Sequence, residues 1–323
     1  MSARPEASAE ALVEGVQHGD RHALARALTL VEADTPAGRA VLAALYPRTG
    51  HAQTIGVTGS AGTAKSALVA ALAREERARG RTVGIVAVDP SSPFSHGALL
   101  GDRVRMQDLT GDGGVFLRSM ASRGALGGLA EATSGAVDLL DAAGFDVVIV
   151  ETVGAGQDEV EVANATGTTV LVANPGGGDE IQSMKAGLME VAQVIVVNKA
   201  DLAGADTAVT ALRGLLALAH PGVWEPPILK TVARTGEGVP ALADALDRHQ
   251  QHLRESPHAA EERLEIARRQ VAMLARAALQ RQALATAEAT RALDTLAVEV
   301  AERRRDPRSA AEALLDAIRG GMG

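Results

Sequence analysis

Two short motifs in this chain combine residue types and spacings that suit nucleotide chemistry. The first, Gly59-Ser60-Ala61-Gly62-Thr63-Ala64-Lys65-Ser66, lies between an apolar run (Thr54–Thr58) and a helical pattern (Ser66–Arg79). In that setting, the backbone N–H groups of a glycine-rich loop and a helix amino terminus converge on an anion. We expect Lys65 to neutralise the β- and γ-phosphates of a nucleotide, and the Ser66 hydroxyl to ligate Mg²⁺.

The second motif, Asn198-Lys199-Ala200-Asp201, predicts which base the site selects. A carboxylate such as that of Asp201 accepts hydrogen bonds from the ring N–H and the exocyclic amine of guanine, a pair of donors that adenine lacks. In a later loop, the backbone amide of Ala233 is expected to face guanine O6. Either motif alone is modest evidence, but the two in this order predict a guanine-nucleotide site.

Three carboxylates stand where they could complete a Mg²⁺ site. Asp89 and Glu151 each end an apolar, strand-like run, and Asp102 lies in the connection after Asp89. Ligands bind beyond the carboxyl ends of parallel strands, and Mg²⁺ prefers oxygen ligands with several waters retained. We therefore expect these three residues and Ser66 to hold the metal, some of them through water. Taken singly, Asp89 and Asp102 also suit turns or helix caps, whereas burying Glu151 requires a cation or hydrogen-bond donors.

Short apolar runs alternate with helical patterns through the middle of the chain. The runs that predict strands are Thr54–Thr58, Val83–Val88, Val147–Glu151, Thr169–Val172, Val194–Asn198 and Ile228–Val232. They are rich in β-branched residues and nearly all apolar, which is typical of strands buried on both faces. Helical patterns between several of them favour βαβ units with right-handed crossovers. The sequence therefore predicts an α/β domain over residues 51–255, with a mostly parallel sheet flanked by helices.

Helical patterns without any strand signal lie on both sides of this domain. The predicted flanking helices cover residues 6–33, 36–46, 259–284, 287–305 and 309–319. They define an N-terminal helical extension over residues 1–50 and a C-terminal one over residues 256–323. The C-terminal helices either pack against the sheet domain or form a dimerisation arm. Their few aromatic residues make a separate core unlikely to form, so both alternatives stay open.

Composition limits the class of protein further. Hydrophobic residues make up 46% of the chain but aromatic residues only 2%, so the core must consist of Ala, Val, Leu and Ile. The chain has no cysteine, which excludes disulfides and thiolate metal sites. We expect His249, His252 and His258 to be surface residues. A net charge of −8 argues against a general nucleic-acid binder. With no signal-peptide pattern and no membrane-spanning apolar run, we expect a cytoplasmic protein that binds neither membranes nor nucleic acid.

A glycine-rich segment, Pro175–Glu180, follows one of the predicted strands and holds three consecutive glycines. Such a segment is expected to be mobile, which suits a switch that ligand contacts put in order. A plain connector to the next helix would have the same composition. Candidate cations that could reach the phosphates or a partner are Arg118, Arg123 and Lys185.

Four blocks of the sequence resemble the MeaB/ArgK family, which are GTPases that chaperone adenosylcobalamin-dependent acyl-CoA mutases. The blocks are Asp89–Phe94, Gly101–Met106, Arg118–Gly124 and Glu151–Gln157. The resemblance runs from about residue 10 to residue 245. It implies a P-loop NTPase fold of the SIMIBI type, GTP or GDP with Mg²⁺, and a homodimer formed by the C-terminal helices. It also implies a mutase partner of the methylmalonyl-CoA mutase type.

The same resemblance assigns roles to individual residues. It places Asp89, Asp102 and Glu151 at the family's magnesium-linked positions. It also places Gln182 and Lys185 in a mobile switch, Pro175–Lys185, through which the family signals to its mutase. These roles are what the resemblance implies, and neither the spacing nor the composition gives the mutase.

The phosphate loop departs from the family pattern Gly-x-Pro-Gly-x-Gly-Lys-Ser-Thr at three positions. Ala61 replaces Pro, Ala64 replaces the last Gly, and Ala67 replaces Thr. Ala64 is the important change, because its Cβ stands where the backbone approaches phosphate. If the residue is left-handed, the conformation costs roughly 1–2 kcal/mol. We expect nucleotide binding to survive, and affinity or hydrolysis to be weakened.

The sequence thus predicts a GTP-binding and hydrolysing chaperone that assists cofactor loading and protection of an adenosylcobalamin-dependent acyl-CoA mutase. Catalysis would rest on positioning and electrostatics, with Lys65, Glu151 and the metal offsetting charge, and Gln157 as a candidate for positioning water. No general base is evident, so slow intrinsic turnover is expected. The alternatives are a nucleotide-binding scaffold with little hydrolysis, which Ala64 favours, and a metallochaperone GTPase, which the absence of cysteine disfavours. A kinase is a fourth possibility, but the chain has no phosphoryl-acceptor signature.

Overall fold

The computed structural model describes residues 8–90, 109, 111–122, 128–152, 165–176, 189, 191–218, 224–284 and 287–320. Its elements up to the fourth strand are α1 (Ala9–Gln17), α2 (Arg21–Glu32), α3 (Pro36–Leu45), β1 (Gln53–Thr58), α4 (Lys65–Ala78), β2 (Val83–Pro90), β3 (Val115–Ser122), α5 (Gly128–Ala142) and β4 (Val147–Glu151). The later elements are β5 (Thr168–Ala173), β6 (Val194–Val197), α6 (Ala205–Leu218), β7 (Ile228–Lys230), α7 (Val239–Glu255), α8 (Ala259–Leu284), α9 (Ala287–Ala301) and α10 (Pro307–Gly320).

Within the described residues, seven strands form one sheet in the order β3-β2-β4-β1-β5-β6-β7. Every neighbouring pair is parallel, so the carboxyl ends of the strands meet at one edge. The central strand, β1, lies between β4 and β5 and leads directly into the glycine-rich loop. The predicted α/β class is confirmed, and the sheet is parallel at each of these pairings.

Helices α4 and α7 cover one face of the sheet. Leu68 and Leu72 of α4 and Leu242 of α7 are buried in one cluster with Ile55 and Val172 of the central strands. Strands buried in this way need few polar residues, which explains their nearly continuous apolar runs. The same packing fixes the start of α4, and therefore the phosphate loop, against β1.

The amino-terminal helices cover the other face of β2 and β3. Leu28 of α2 is buried in one cluster with Val86 of β2 and Phe116 of β3. On β3, the Arg118 guanidinium donates to the Glu32 carboxylate of α2 over 2.5 Å. This ion pair accounts for Arg118, which we expected to reach the phosphates or a partner. The amino-terminal helices therefore share the core of the sheet.

The chain divides into two compact units, Met1–Gln270 and Val271–Gly323. The first contains the sheet, and the second contains α9 and α10. The domain limits predicted at residues 50 and 255 stay predictions. In the part of the chain that the structure describes, every helix is too short or too polar to cross a membrane.

Two elements differ from the sequence prediction for identifiable reasons. The structure has a strand, β3, that the apolar runs did not predict, because Arg118 and Ser119 interrupt its pattern. The single helix predicted over residues 6–33 is two helices, since Gly19 has a φ of 75° and the Asp20 carboxylate caps α2 through the backbone N–H of His22. A continuous helical pattern conceals such a break when both sides present apolar residues to the same core.

The prediction that His249 lies at the surface is wrong, since its exposed fraction is only 3%. Its Nδ1 atom is 2.8 Å from the Thr168 hydroxyl, and the Trp224 ring meets it edge-on with centroids 4.7 Å apart. Burial, together with the neighbouring His252, lowers the pKa of His249 to about 4. Folding therefore keeps this imidazole neutral at pH values where the unfolded chain would protonate it.

We predict that His249 makes the protein lose stability as the pH falls. The unfolded histidine takes up its proton near pH 6.5, whereas the folded one does so near pH 4. The contribution of His249 to the free energy of unfolding should therefore fall by about 2 kcal/mol when the pH is lowered from 7.5 to 5. A His249→Gln variant, which keeps a partner for Thr168, should lack that loss. The measurement is urea unfolding of both proteins at the two pH values, followed by the fluorescence of Trp224, the single tryptophan.

The wild type must be compared with His249→Gln, because Asp138 makes the free energy of unfolding rise, not fall, as the pH is lowered. Burial, together with the neighbouring Asp141, raises the pKa of Asp138 to about 7, so its folded form gains protons and stability as the pH falls below that value. Asp138 contributes equally to wild type and variant. Unfolding free energies that fall in parallel in both would contradict the role of His249.

Candidate functional site

The glycine-rich loop joins β1 to α4 at the carboxyl edge of the sheet. Gly59 has a φ of 140°, and a Cβ at this position would clash with the carbonyl of Val172 in β5. Gly62 has a φ of 85°, which also favours glycine. The two glycines therefore stand where the loop needs a close approach and a left-handed turn.

Ala64 adopts the left-handed conformation, with φ 61° and ψ 42°. That conformation costs a residue with a Cβ about 1–2 kcal/mol. This strain lowers the stability of the folded state. Ala64 also begins the helix, since its carbonyl accepts from the Leu68 amide of α4 at 3.1 Å.

Lys65 and Ser66 follow at the first turn of α4, and both are buried. The Lys65 ammonium donates to the carbonyls of Gly59 and Ser60 at 2.6 and 3.1 Å. The Ser66 hydroxyl donates to the Glu151 carboxylate at 2.6 Å, which joins the start of α4 to the end of β4. The carbonyls of the phosphate loop therefore bind the Lys65 ammonium, and the buried Glu151 carboxylate of β4 binds the Ser66 hydroxyl.

The pair of Ser66 and Glu151 suits a Mg²⁺ ion. Both side chains offer oxygen atoms, the ligand type that Mg²⁺ prefers, and both are only 5% exposed. In β2, Ala87 lies opposite Glu151 in register, so the backbone of Asp89 continues along the same edge. The side chain of Asp89 lies outside the described residues.

Several predicted site residues also lie outside the described residues. They are Asp102, Gln157, Gln182 and Lys185, together with the candidate cation Arg123. Their predicted roles in metal binding, water positioning and partner signalling stay predictions. The described part of the site consists of the phosphate loop, Glu151 and two segments that we predict to contact the base, Asn198–Asp201 and Thr231–Gly238, which we call the base-reading loops.

Asn198 connects the phosphate loop to the base-reading loops. Its side chain is fully buried, and its Nδ2 atom donates to the carbonyl of Thr63 at 2.9 Å. Its Oδ1 atom accepts from the Thr231 hydroxyl and from the Ala233 amide, both at 3.1 Å. The Ala233 amide, which we expected to face guanine O6, is therefore engaged with Asn198.

Lys199 adds a second link between the two loops. It has a φ of 56°, and its ammonium donates to the carbonyl of Gly62 at 2.7 Å. Beyond it, Asp201 presents a carboxylate that is 43% exposed, with the Arg234 guanidinium 3.7 Å away. The structure thus brings the two predicted motifs together, although they are far apart in the sequence.

Sequence reasoning missed Asn174, which follows β5 between these two loops. Its Oδ1 atom is buried, and among the described residues no donor lies within hydrogen-bonding distance. On either side of it, the Ala173 carbonyl accepts from the backbone N–H of Asn198, and the Pro175 carbonyl lies against Gly204, directly before α6. The signal that identified Asp89 and Glu151, a polar residue directly after an apolar strand, would also have found Asn174.

A central parallel strand that ends in this loop, with lysine and serine at the helix start and an Asn-Lys-x-Asp loop bound to it, defines a P-loop GTPase. A family model described as methylmalonyl-CoA mutase-associated GTPase MeaB matches residues 24–288. The chain therefore belongs to the MeaB family, as the resemblance of its motifs predicted.

Individual relatives agree with this assignment. A relative from Pyrococcus horikoshii with a GTPase name is 49% identical over 256 residues, which cover 78% of this chain and 81% of the relative. The methylmalonic aciduria type A homolog of Mus musculus, described as mitochondrial, is 32% identical over 275 residues, or 78% of this chain and 66% of its own. A crystal structure described as an LAO/AO transport system kinase matches with a TM-score of 0.74 and 27% identity, over 98% of this chain and all of that one (100%).

We predict that Ala64→Gly mainly stabilises the fold. Relief of the left-handed strain, less the greater backbone freedom of glycine in the unfolded chain, should raise the free energy of unfolding by about 0.5–1 kcal/mol. GDP affinity should change by less than about three-fold, because glycine adopts the same left-handed conformation and the substitution removes no polar contact. Chemical unfolding and calorimetry with GDP measure the two quantities.

Ala61→Gly is the matched control for this experiment. Ala61 lies in the same loop without a positive φ, so glycine there should only lower stability. A ten-fold or greater gain in GDP affinity for Ala64→Gly would contradict the prediction and would instead show that the Cβ obstructs phosphate.

Proposed function

We propose that this protein binds and hydrolyses GTP in order to chaperone an adenosylcobalamin-dependent acyl-CoA mutase, such as methylmalonyl-CoA mutase. Its task would be to assist loading of the cofactor and to protect the mutase. The matching family is described as associated with methylmalonyl-CoA mutase, and the mouse relative carries a methylmalonic aciduria name. These descriptions support the class of partner, whereas the mutase and the loading role are part of the proposal.

The observation that carries the nucleotide part of the proposal is the Asn198 side chain. Because it bonds the phosphate loop at Thr63 and the later loop at Thr231 and Ala233, the phosphate end and the base end of the site are held at a fixed separation. A site built in this way suits one ligand that has phosphates at one end and a purine at the other. We assign the Asp201 carboxylate to the ring N–H and the amine of guanine.

The phosphates would lie on the backbone N–H groups of the loop and at the start of α4. The proposed contacts are Gly59, Ser60, Ala61, Gly62, Thr63, Ala64, Lys65, Ser66 and Ala67. The Lys65 ammonium, which now donates to two carbonyls of the loop, would transfer these bonds to the β- and γ-phosphates. The chain would form no covalent bond to the nucleotide and would act by positioning the phosphates and stabilising their charge.

We assign Mg²⁺ to Ser66 and Glu151, with Asp89 and Asp102 as further ligands that act directly or through water. When bound, the ion would neutralise charge on the phosphates. Glu151 and Ser66 would orient it, and the burial of both keeps bulk water from competing. We propose slow intrinsic turnover, with Gln157 as the residue that positions the attacking water.

The experiment that tests this function is GTP hydrolysis by the purified full-length protein, with and without purified methylmalonyl-CoA mutase. We expect slow turnover alone and faster turnover with the mutase. Glu151→Gln, which keeps the shape of the side chain but removes its charge, should slow hydrolysis at least about ten-fold. Asp206→Asn, which removes an exposed carboxylate of α6, serves as the matched control and should change neither rate.

Absence of turnover in both conditions, without recovery in Ala64→Gly, would favour a scaffold that signals through its bound nucleotide alone. Turnover that the mutase leaves unchanged would keep the GTPase and reject this partner. The left-handed Ala64 of the phosphate loop is the feature that favours a nucleotide-binding scaffold with little hydrolysis.

We also propose that the C-terminal helices form a homodimer. In the unit Val271–Gly323, the apolar side chains Val271 and Leu279 of α8 are each 66% exposed, and Val298 and Leu315 are about half exposed. A short helical segment cannot bury enough apolar surface to cover these side chains by itself. A second copy of the same helices would supply a matching apolar surface.

We predict that the protein has twice its chain mass of 33.1 kDa in solution at micromolar concentration. Val271→Glu combined with Leu279→Glu should yield a monomer, because two carboxylates would be buried against apolar side chains. Tyr46→Glu, a change at a residue that is also exposed but lies in the first unit, is the control. Light scattering measures the mass, and a monomeric wild type or a dimeric double variant would reject the proposal.

A further inference from the structure

Arg234 stands at the base end of the site, on a backbone that is firmly held. The residue before it, Ala233, donates its amide to Asn198 at 3.1 Å, and the Thr235 amide donates to the Val232 carbonyl at 3.0 Å. The Arg234 side chain is 82% exposed, and its Nη2 atom lies 3.7 Å from the nearer oxygen of Asp201. A hydrogen-bonded backbone thus places an exposed, charged side chain beside the carboxylate assigned to guanine.

The distance of 3.7 Å between the Arg234 guanidinium and the Asp201 carboxylate determines how the two side chains can interact. It is longer than a hydrogen bond, so Arg234 leaves the acceptor positions of Asp201 open to the two donors of guanine. An exposed ion pair at this distance also contributes little to the stability of the fold. Neither competition for Asp201 nor structural support therefore explains the position of this guanidinium.

Two other cations of this region, Lys199 and Lys230, make hydrogen bonds to other groups. The Lys199 ammonium donates to the Gly62 carbonyl at 2.7 Å, and the Lys230 ammonium pairs with the Asp206 carboxylate at 2.9 Å. Both distances are those of charge-assisted hydrogen bonds. Of these three cations, Arg234 is the one whose described contact is too long to be a hydrogen bond.

We propose that Arg234 is a base-binding residue whose guanidinium covers one face of the purine ring that Asp201 reads at its edge. This inference rests on the proposed guanine site. A planar guanidinium stacks on an aromatic face and is attracted to it, and it loses less hydration than an ammonium when it does so. A ring hydrogen-bonded to Asp201 lies within reach of a side chain that already stands beside that carboxylate.

Stacking and edge recognition make separable contributions. The face of the ring is similar in guanine and adenine, so Arg234 should strengthen binding of either base, while Asp201 selects between them. Arg234→Ala should weaken GDP binding about two- to five-fold, the range for an exposed cation on an aromatic ring. Arg234→Lys should recover only part of that loss, because the ammonium keeps the charge but not the plane.

The test is calorimetry on the full-length protein with Mg²⁺ and three probes: GDP, ADP and inorganic tripolyphosphate. We expect Arg234→Ala to lose GDP affinity and to keep the wild-type affinity for tripolyphosphate, which has no base. Lys230→Ala removes one positive charge from the same region and should leave all three affinities unchanged. The urea midpoint of Arg234→Ala should match wild type, because the side chain is exposed.

Three outcomes would overturn the inference: no loss of GDP affinity, a gain in GDP affinity, or an equal loss for tripolyphosphate. A gain would mean that Arg234 competes for Asp201, and an equal loss would mean that it acts only as a charge. The wild-type protein tests the underlying assignment separately. Equal affinity for GDP and ADP would reject the role of Asp201, while the comparison of GDP with tripolyphosphate would still report on Arg234.

Discussion

The buried side chain of Asn198 makes the hydrogen bonds on which the rest of the site depends. One end of its amide holds the Thr63 carbonyl of the phosphate loop, and the other holds Thr231 and Ala233 after β7. Leaving any of these buried groups without a partner would cost about 1–3 kcal/mol. The two halves of the site are therefore joined by polar bonds that water cannot easily replace, and the sheet edge only brings them near each other.

This connection explains how the chain tolerates alanine at position 64. Strained conformations persist where the surrounding structure fixes the backbone on both sides. Before Ala64, the Thr63 carbonyl is held by Asn198, and after it α4 begins with Lys65 and Ser66 already bonded. These contacts on both sides hold Ala64 in its left-handed conformation.

Much of the fold could be predicted because buried parallel strands are apolar throughout. All six predicted strands are present, four of them to within one residue at each end and two to within two residues, whereas β3 was missed. In the described sheet β3 is an edge strand, and it carries Arg118 for an ion pair with α2, so this charged residue breaks the apolar pattern. The apolar pattern alone cannot show that a helix far away in sequence supplies its partner.

The same limit applies to the site. The sequence indicated that Lys65, Ser66, Glu151 and Asn198 lie at one edge of the sheet, because their neighbours in sequence form motifs with a known geometry, and their roles toward a nucleotide stay predictions. The burial of His249 was not, since it depends on Thr168 and Trp224, neither of which is near it in sequence. The pairing of the Ala233 amide with Asn198 was missed for the same reason, because a backbone amide gives no signal of where it points.

The bonds of Lys65 to the carbonyls of Gly59 and Ser60 have a consequence for how strongly the loop can bind phosphates. The two carbonyls accept hydrogen bonds from the ammonium, but they carry no net charge that would neutralise it. Entry of phosphates then exchanges one set of charge-assisted bonds for another, so the gain is smaller than the number of new contacts suggests. The gain that remains comes from neutralisation of the Lys65 charge, which makes phosphate binding weaken as the salt concentration rises.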